Sequence, residues 1–355
     1  MARRHLIVAA GGTGGHMVPA HVLSGEMQRR GWTVSLITDA RGLKYPGLFD
    51  GVPKHTIPSA SLGGKNPIKW LSSIRQILAG RSAAFALCRK EKPAAMVGFG
   101  GYPTLPAILG AAKARVPAIV HEQNAVLGRV NRLLAPYVAS VATAYTNVRR
   151  LKSPPELVGN PVRADILALR GKPLPSSAKG LRLLVIGGSQ GAAILSRVVP
   201  QAVALLPEAL RKGLAIVQQC RPEDIDQARA AYATIGAKAE LSTYVEDMGG
   251  ALANTHIVIA RAGASTIAEL TAVGRPAILV PLPTAMDNHQ VYNTEEMAAA
   301  GGAVMILQSD FTPERVAREI EAMAARLPEA AAAAASVGRP DAGVKLADLV
   351  ERLAA

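Results

Sequence analysis

The sequence predicts an α/β protein made of two Rossmann-like, doubly wound domains. Three observations predict this fold class. Short aliphatic runs alternate with amphipathic stretches of helical length, which is typical of parallel sheets covered by helices. The chain has 355 residues, more than one hydrophobic core usually supports. An apolar run ending in a glycine cluster occurs at residues 6–15 and again at residues 183–192. The two domains are expected to face each other across a cleft bordered by the carboxyl ends of their strands.

Apolar runs predict the strands, and their pattern restarts in the middle of the chain. In the first half the predicted strands are residues 6–10, 34–38, 94–97, 118–120 and, as a weaker run, 140–142. In the second half they are residues 181–186, 215–220, 257–260, 277–281 and 303–307. A Gly-Asn-Pro turn at residues 159–161 lies between the two series and is a candidate hinge. The alanine-rich segment 330–335 is expected to lead into a last helix at residues 341–353.

Composition and charge limit the classes of function. The formal net charge of +14 indicates a polyanionic ligand or an anionic membrane as partner. Nucleic acid is disfavoured, because aromatic residues are only 4% of the chain and do not alternate with basic runs. Cys88 and Cys220 are too few for a disulfide framework or a zinc site and indicate a reducing cytoplasm. The first apolar run ends in glycines, unlike a signal peptide, and no run approaches the ~20 residues that span a bilayer.

The segment from Gly11 to His16, Gly-Gly-Thr-Gly-Gly-His, is the first candidate site. A dinucleotide-binding fingerprint would need glycine at Met17, and a Walker loop would need Gly-Lys followed by Ser or Thr. The glycines allow a phosphate or a sugar to approach the main chain at a helix N-terminus, which favours negative charge. A tight turn without a ligand is the alternative. The helix dipole is expected to lower the pKa of His16 and keep its imidazole neutral, as a general base requires.

Two further segments are expected at the same edge of the first sheet. Residues 97–103 form a second glycine turn that contains Tyr102. Residues 121–124, His-Glu-Gln-Asn, close another predicted strand with four polar side chains. Because the carboxyl edge of a doubly wound sheet is the ligand crevice, these residues are predicted to line an acceptor pocket beside His16. Capping of loops is the alternative.

The second half contains two candidate ligand segments. Arg261 precedes Ser265 and Thr266, which are N-cap candidates, so this segment is predicted to bind an anion. Glu269 lies about one turn later. It is expected either to bind two ribose hydroxyls or only to interact favourably with the positive end of the helix dipole. The loop at residues 281–290 offers short hydrogen-bond donors and acceptors that suit a sugar. The alternative is that these residues are polar only because surface loops usually are. Those side chains are Asp287, Asn288, His289, Gln290 and, beyond the loop, Asn293.

Seven segments together resemble the MurG family of N-acetylglucosaminyltransferases of peptidoglycan synthesis. In chain order they are residues 11–16, 98–102, 121–124, 159–163, 187–191, 261–269 and 287–290. The resemblance covers essentially the whole chain and implies a GT-B fold with inverting, metal-independent transfer and no cofactor. It implies a donor domain at residues 162–337. The first domain, residues 1–161 with a last helix at 338–355, would bind lipid I, the undecaprenyl-diphosphate-linked muramoyl-pentapeptide, and face the membrane.

The resemblance also implies roles for single residues. His16, or alternatively His121 or Glu122, deprotonates the muramoyl hydroxyl that displaces UDP. The positions on the acceptor side are Gly11, Gly12, Gly100, Gly101 and Tyr102, and the loop at residues 11–15 would lie near the diphosphate of lipid I and the reacting sugar. The positions around UDP-N-acetylglucosamine are Thr13, Gly14, Gly15, Asn124, Arg163, Ser189, Val245, Arg261, Gly263, Ala264, Ser265, Thr266, Glu269, His289 and Gln290. Among these, the backbone near Val245 meets the uracil, Glu269 meets the ribose, and the leaving diphosphate lies at residues 261–266. Some family members have Gln-Gln at positions 289–290, so the role of His289 stays open.

Asp224 and Asp226 invite a different interpretation, because paired aspartates hold a divalent ion in one class of glycosyltransferase. They follow Pro222 at the start of an amphipathic helix, where proline and acidic residues are expected for capping. We therefore predict no metal site.

The implied partners are UDP-N-acetylglucosamine, lipid I and the anionic cytoplasmic face of the bacterial inner membrane, without nucleic acid. An apolar patch ringed by cations is predicted at that membrane. It comprises residues 67–71 and Ile74, flanked by Lys65, Lys69, Arg75 and Arg81. A core helix with snorkelling basic side chains is the alternative. Two rival functions are a UDP-N-acetylglucosamine epimerase of the same architecture and a non-catalytic protein that binds nucleotide sugars or polyanions.

Overall fold

The chain forms two compact units. The computed structural model describes residues 4–44, 47–61, 67–188 and 191–355. Unit 1 comprises Met1–Arg163 and Pro340–Ala355, and unit 2 comprises Ala164–Arg339. The sequence places the boundaries of the first domain after residue 161 and before residue 338, each two residues from the boundaries of unit 1.

Unit 1 is built on a seven-stranded sheet. Its strands are β1 (His5–Ala9), β2 (Thr33–Thr38), β3 (Lys54–Thr56), β4 (Ala95–Gly98), β5 (Ala118–Glu122), β6 (Ser140–Thr143) and β7 (Glu156–Leu157). Their order is β3-β2-β1-β4-β5-β6-β7, and all neighbours are parallel. The order reverses between β1 and β4, which makes their carboxyl ends the topological switch point where ligands bind in such sheets.

Helices cover both faces of this sheet. They are α1 (Gly14–Arg29), α2 (Pro67–Glu91), α3 (Thr104–Lys113), α4 (Arg129–Leu134) and the last helix of the chain, α15 (Ala342–Leu353). Successive side chains of β1 point to opposite faces, as in any strand. Leu6 and Val8 belong to the core that α1 and α15 cover, whereas Ile7 and Ala9 belong to the core under α2 and α3.

The last helix is attached to unit 1 by apolar packing and by ion pairs. Leu346 and Val350 are fully buried in the core shared with α1. Arg30, directly after α1, donates to Asp348 and Glu351 at 2.7 Å each. The C-terminal segment therefore completes the unit that contains the first strand.

Unit 2 repeats this plan with six strands. They are β8 (Arg182–Ile186), β9 (Ala215–Gln219), β10 (Lys238–Ser242), β11 (Ile257–Arg261), β12 (Ala277–Val280) and β13 (Ala303–Met305). Their order is β10-β9-β8-β11-β12-β13, again with parallel neighbours, so the switch point lies between β8 and β11.

The helices of unit 2 connect these strands or lie before the first and after the last of them. They are α5 (Ala164–Leu167), α6 (Ala193–Leu205), α7 (Glu208–Arg211), α8 (Ile225–Thr234), α9 (Met248–Ala253), α10 (Ala264–Val273), α11 (His289–Asn293), α12 (Glu295–Ala299), α13 (Pro313–Ala324) and α14 (Leu327–Ser336). Arg275 is buried and donates to the carbonyls of Leu252 and Val273, at 2.8 and 3.0 Å. It thus satisfies carbonyls at the C-terminal ends of α9 and α10, which a helix leaves without internal partners.

The fold class predicted from the sequence is confirmed, since both units are doubly wound parallel sheets. Three details differ from the prediction. The sequence does not predict the edge strands β3, β7 and β10. Strand β5 extends through His121 and Glu122, which end it and do not follow it. The alanine-rich segment lies in α14, a helix separate from α15. Among the described helices, none combines the length and apolar character needed to cross a membrane.

Candidate active site

The two glycine turns of unit 1 lie in direct contact at the carboxyl ends of β1 and β4. A Cβ on Gly101 would be 2.4 Å from the carbonyl oxygen of Gly11, and a Cβ on Gly11 would be 2.7 Å from Pro103 Cγ. Only glycine allows this approach. Thr13 is the N-cap of α1, yet within the described residues its side chain caps no amide of the helix. The first turn of α1 therefore presents amides that can bind an anion.

His16 lies in the first turn of α1 with its two ring nitrogens in different environments. Nδ1 is 3.0 Å from the carbonyl oxygen of Gly11, which can only accept a hydrogen bond, so we assign the proton to Nδ1. Nε2 is then an unprotonated acceptor and faces Gly100, where a Cβ would be 2.9 Å away. The sequence predicts a lowered pKa through the helix dipole. The pKa of His16 is lowered below 6.5, but the main cause is burial of the ring.

The polar run at the end of β5 is held in a buried hydrogen-bond network. His121 is fully buried, its Nε2 donates to the carbonyl of Gly159 at 2.8 Å, and its Nδ1 accepts from Gln123 at 3.1 Å. Burial lowers the pKa of His121 to about 4. The Glu122 carboxylate accepts from the amide of Gly128 and the side chain of Asn131, both at 2.8 Å. The other Glu122 oxygen accepts from the backbone and side chain of Asn124, at 3.0 and 3.2 Å.

Asp39 and Arg41, which the sequence does not single out, lie beside the first glycine turn. The central carbon of the Arg41 guanidinium lies over the ring of Tyr102, 4.7 Å from its centroid, and Nη2 donates to Asp39 Oδ2 at 2.7 Å. Asp39 Oδ1 accepts from the amide of Gly42 at 2.9 Å. Burial opposes the charge of Asp39, but these hydrogen bonds hold its pKa below the usual value. Both residues follow β2, the neighbour of β1, and this placement is the signal that could have found them.

In unit 2 the glycine turn after β8 is anchored by Gln219. Its Oε1 accepts from the amide of Gly187 and its Nε2 donates to the carbonyl of Gly188, both at 3.0 Å. Ser189, predicted to contact the donor, lies outside the described residues. Arg221 packs beside this turn, since a Cβ on Gly191 would be 3.0 Å from its Cγ.

The start of α10 differs from the prediction. Gly263 is the N-cap, so the expectation that Ser265 or Thr266 caps the helix is wrong; both lie inside its first turn. The Ser265 hydroxyl is buried and has no hydrogen-bond partner among the described residues. Arg261 ends β11, and its guanidinium donates to the carbonyls of Val280 and Pro281 at 3.2 Å each. It also donates to Gln308 at 2.6 Å, so Arg261 connects neighbouring loops beside the first turn of α10.

The loop after β12 is ordered by its own hydrogen bonds. Asp287 and Asn288 both have a φ of +54°, a left-handed conformation that is rare for residues with side chains. His289 Nδ1 is 2.8 Å from the carbonyl of Met286. Gln290 Oε1 accepts from the amide of Leu282 at 2.9 Å, which turns its NH2 group away from that amide. The loop therefore presents oriented polar groups.

The predicted site residues fall into two groups by unit. Within unit 1, His16 contacts the acceptor positions Gly11 and Gly100. Arg41, paired with Asp39, lies next to the acceptor positions Gly12 and Tyr102. Five positions predicted around the donor also belong to unit 1: Thr13, Gly14, Gly15, Asn124 and Arg163. The described donor positions in unit 2 are Val245, Arg261, Gly263, Ala264, Ser265, Thr266, Glu269, His289 and Gln290. Val245 is partly buried in the loop between β10 and α9.

The pair of aspartates considered for a metal is engaged elsewhere. Asp224 is buried and accepts from Arg197 at 3.1 and 3.2 Å, and Asp226 pairs with Arg229 on the surface of α8. No group of three His, Cys, Asp or Glu side chains in the described residues is arranged to hold a metal ion.

Comparison with known proteins gives consistent matches along the chain. The N-terminal domain of glycosyltransferase family 28 matches residues 6–143, and the C-terminal domain of that family matches residues 182–353. The chain is 56% identical to a protein of Novosphingobium aromaticivorans, over 99% of this chain and 93% of that protein. It is 54% identical to a protein of Erythrobacter litoralis, over 99% of this chain and 90% of that protein. Both are described as UDP-N-acetylglucosamine--N-acetylmuramyl-(pentapeptide) pyrophosphoryl-undecaprenol N-acetylglucosamine transferase. Among solved structures, it resembles Acinetobacter baumannii MurG with a TM-score of 0.81 and 30% identity, over 99% of both chains.

Proposed function

The chain belongs to glycosyltransferase family 28, and from this premise we propose that it transfers N-acetylglucosamine from UDP-N-acetylglucosamine to the muramoyl sugar of lipid I. The product is lipid II, a precursor of peptidoglycan. The names of its relatives support both substrates. The observation that carries the proposal in the molecule itself is the His16 ring, whose Nε2 is an unprotonated acceptor between the two glycine turns.

His16 is the general base of the proposed reaction. Its Nε2 takes the proton of the muramoyl hydroxyl, and the oxygen of that hydroxyl forms a bond to the anomeric carbon of the donor. The bond from that carbon to the UDP oxygen breaks, and UDP leaves with the electron pair. This single displacement inverts the configuration at the anomeric carbon. The lowered pKa of His16 keeps the ring neutral at pH 7, which is the form that can accept a proton.

His121 and Glu122 support the site as positioning residues and do not act as the base in this proposal. Both ring nitrogens of His121 are engaged by protein groups, and the ring is 0% exposed. Each carboxylate oxygen of Glu122 already accepts two hydrogen bonds. A base must exchange a proton with the substrate within hydrogen-bond reach, and these groups are already occupied.

Unit 2 binds the donor in this proposal. The amides at the start of α10 and the Ser265 hydroxyl stabilise the negative charge that develops on the leaving diphosphate. Arg261 keeps these groups in place, Glu269 binds the ribose, and the backbone near Val245 meets the uracil. Gln290 and the neighbouring polar side chains contact the sugar. The proposed reaction uses no metal ion, so chelation with EDTA is expected to leave turnover unchanged.

Helix α2 is the part of unit 1 that meets the membrane in this proposal. Trp70 and Leu71 are 50% and 54% exposed, and Leu78 and Arg75 are also exposed. Large apolar side chains next to a cation are suited to the interface of an anionic bilayer. Lys65 of the predicted patch lies outside the described residues, and Ile74 is partly buried. Contact with the cytoplasmic leaflet brings the enzyme to its lipid-anchored acceptor.

The deciding experiment is the release of UDP when the protein is mixed with UDP-N-acetylglucosamine and lipid I in detergent. UDP and lipid II are expected only with both substrates present. An epimerase would alter the labelled donor without lipid I, and a binding protein would release no UDP; either result overturns the proposal.

The His16→Ala variant tests the role of the base. Loss of a general base lowers kcat by about 10²–10⁴-fold. His21→Ala is a matched control, because His21 lies on the same helix and its Nδ1 accepts from the amide of Phe49. Turnover of His16→Ala near that of His21→Ala, with both substrates saturating, would exclude His16 as the base.

A further inference from the structure

We propose that Arg41 binds the diphosphate of the acceptor, with Asp39 and Tyr102 holding its guanidinium in place. This inference rests on the proposed function, since it presumes an acceptor that carries a diphosphate. The guanidinium is a fixed cation next to the turn that holds the proposed base.

The position of Arg41 follows from the sheet. Strands β1 and β2 are parallel neighbours, with Ala9 paired to Ile37, so the segments after them meet at the same edge. A Cβ on Gly12 would be 3.5 Å from Arg41 Nη2. Arg41 is also close enough to His16 for its charge to contribute to the lowered pKa of that ring. An anion at the start of α1 would therefore meet this guanidinium.

The guanidinium is oriented on two sides. Its Nε and Nη2 donate to Asp39 Oδ2, at 3.2 and 2.7 Å. On a second side, its central carbon lies over the ring of Tyr102, 4.7 Å from the ring centroid. Asp39 is itself fixed by the amide of Gly42 at 2.9 Å. An arginine held in this way loses little conformational entropy when it binds a ligand.

The edge of the guanidinium that Asp39 does not use is suited to a phosphate. A guanidinium has five N–H groups; two of those of Arg41 donate to Asp39 Oδ2 and one interacts with the Tyr102 hydroxyl, which leaves two for a ligand. Two parallel N–H groups match two oxygens of a phosphate. The side chain of Arg41 is 52% exposed, so a ligand can reach it.

The diphosphate of the acceptor fits this place better than that of the donor. Arg41 belongs to unit 1 and lies beside the turn that carries the base for the acceptor hydroxyl. The donor diphosphate is assigned to the start of α10 in unit 2. The acceptor sugar carries its own diphosphate, so the residue that binds this group also orients the sugar relative to His16.

Geranyl diphosphate is the probe for this assignment, as a competitive inhibitor against lipid I that lacks the sugar. In Arg41→Gln the inhibition constant of geranyl diphosphate and the KM for lipid I are expected to rise about ten- to a hundredfold, as when a charge-assisted hydrogen bond is lost. The KM for UDP-N-acetylglucosamine is expected to stay within about twofold. Arg41→Lys keeps the positive charge but lacks the two parallel N–H groups of a guanidinium. Its inhibition constant for geranyl diphosphate and its KM for lipid I should therefore lie between those of wild type and Arg41→Gln.

Arg4→Gln is the matched control, because Arg4 also lies over an aromatic ring of unit 1, that of Trp32 at 5.7 Å. The inhibition constant of geranyl diphosphate for Arg4→Gln should equal that for wild type. If Arg41→Gln does not fold, as judged by its melting curve, the Arg41→Lys variant decides through the same constants. An unchanged constant in the folded variant overturns the assignment, and so does an equal rise in the KM for the donor. Absence of transfer by the wild-type protein would instead overturn the proposed function.

Discussion

The substitution Gly100→Ala tests whether the placement of the His16 ring determines the rate. Gly100 has a φ of +98°, and a Cβ there would be 2.9 Å from His16 Nε2 and 3.0 Å from its Cδ2. Ordinary contacts of a Cβ begin at 3.4 Å. The ring or the glycine turn must therefore move by about half an ångström, the difference between these distances.

The expected magnitudes follow from this geometry. A left-handed backbone costs an alanine about 1–2 kcal/mol. For units of this size, the melting temperature then falls by about 2–8 °C. A misplacement of about 1 Å costs about a hundredfold in rate, so half that displacement is expected to lower kcat about tenfold.

Gly31→Ala separates the backbone cost from the contact with the base. Gly31 has a φ of +84°, and no atom lies within 4 Å of the position its Cβ would take. It should lower the melting temperature to a similar extent and leave kcat unchanged. Both variants are measured below their melting temperatures, by UDP release at saturating concentrations of both substrates. If Gly100→Ala and Gly31→Ala had equal melting temperatures and also equal kcat values, the argument that the position of the His16 ring limits the rate would be refuted.

Three further predictions concern stability and membrane binding. The pKa of His121 is about 4 in the folded chain and about 6.5 when unfolded, so stability is lost as the pH falls from 6.5 to 4, by about 3 kcal/mol. Urea unfolding of His121→Gln should show a shallower loss over this range, and equal slopes would contradict the assignment. Arg275→Met leaves helix carbonyls without donors and should lower the free energy of unfolding by about 2–4 kcal/mol; an unchanged urea midpoint would contradict this. The double variant Trp70→Ser/Leu71→Ser should sediment less with anionic vesicles than Leu205→Ser, a control in unit 2 that is 53% exposed, and equal sedimentation would exclude the α2 surface.

The strands that the sequence predicts are mostly those buried on both faces. Strands β1, β4 and β11 each contain a continuous apolar run, because helices cover both sides of the sheet at these positions. The edge strands β3 and β10 each pair with one neighbour only. Their side chains are partly exposed and need not be aliphatic, so hydrophobic pattern alone does not reveal them.

The candidate site was predictable where local sequence carries the signal. The glycine turns and His16 follow strands and break the apolar pattern, which marks the carboxyl edge of the sheet. Asp39 and Arg41 also follow a strand, but their position beside the first turn depends on the pairing of Ala9 with Ile37. This pairing brings together segments that are far apart in the chain. A single sequence does not show which strands pair or in which register. The sequence could therefore have marked Asp39 and Arg41 as polar residues after a predicted strand, but their contact with the first glycine turn is seen only in the folded molecule.

The glycine run has a second consequence for the proposed base. The carbonyl that holds His16 Nδ1 belongs to the peptide between Gly11 and Gly12. The orientation of that peptide depends on the φ of Gly12, which is +85°, a value that residues with side chains rarely adopt. A different φ would turn the carbonyl away and leave Thr13 Oγ1, at 3.4 Å, as the partner of Nδ1. A hydroxyl can donate or accept, so it would not fix the tautomer. In the proposed reaction the glycines would therefore have two roles: they allow a phosphate to approach the main chain, and they favour the tautomer in which Nε2 can accept the proton of the acceptor hydroxyl.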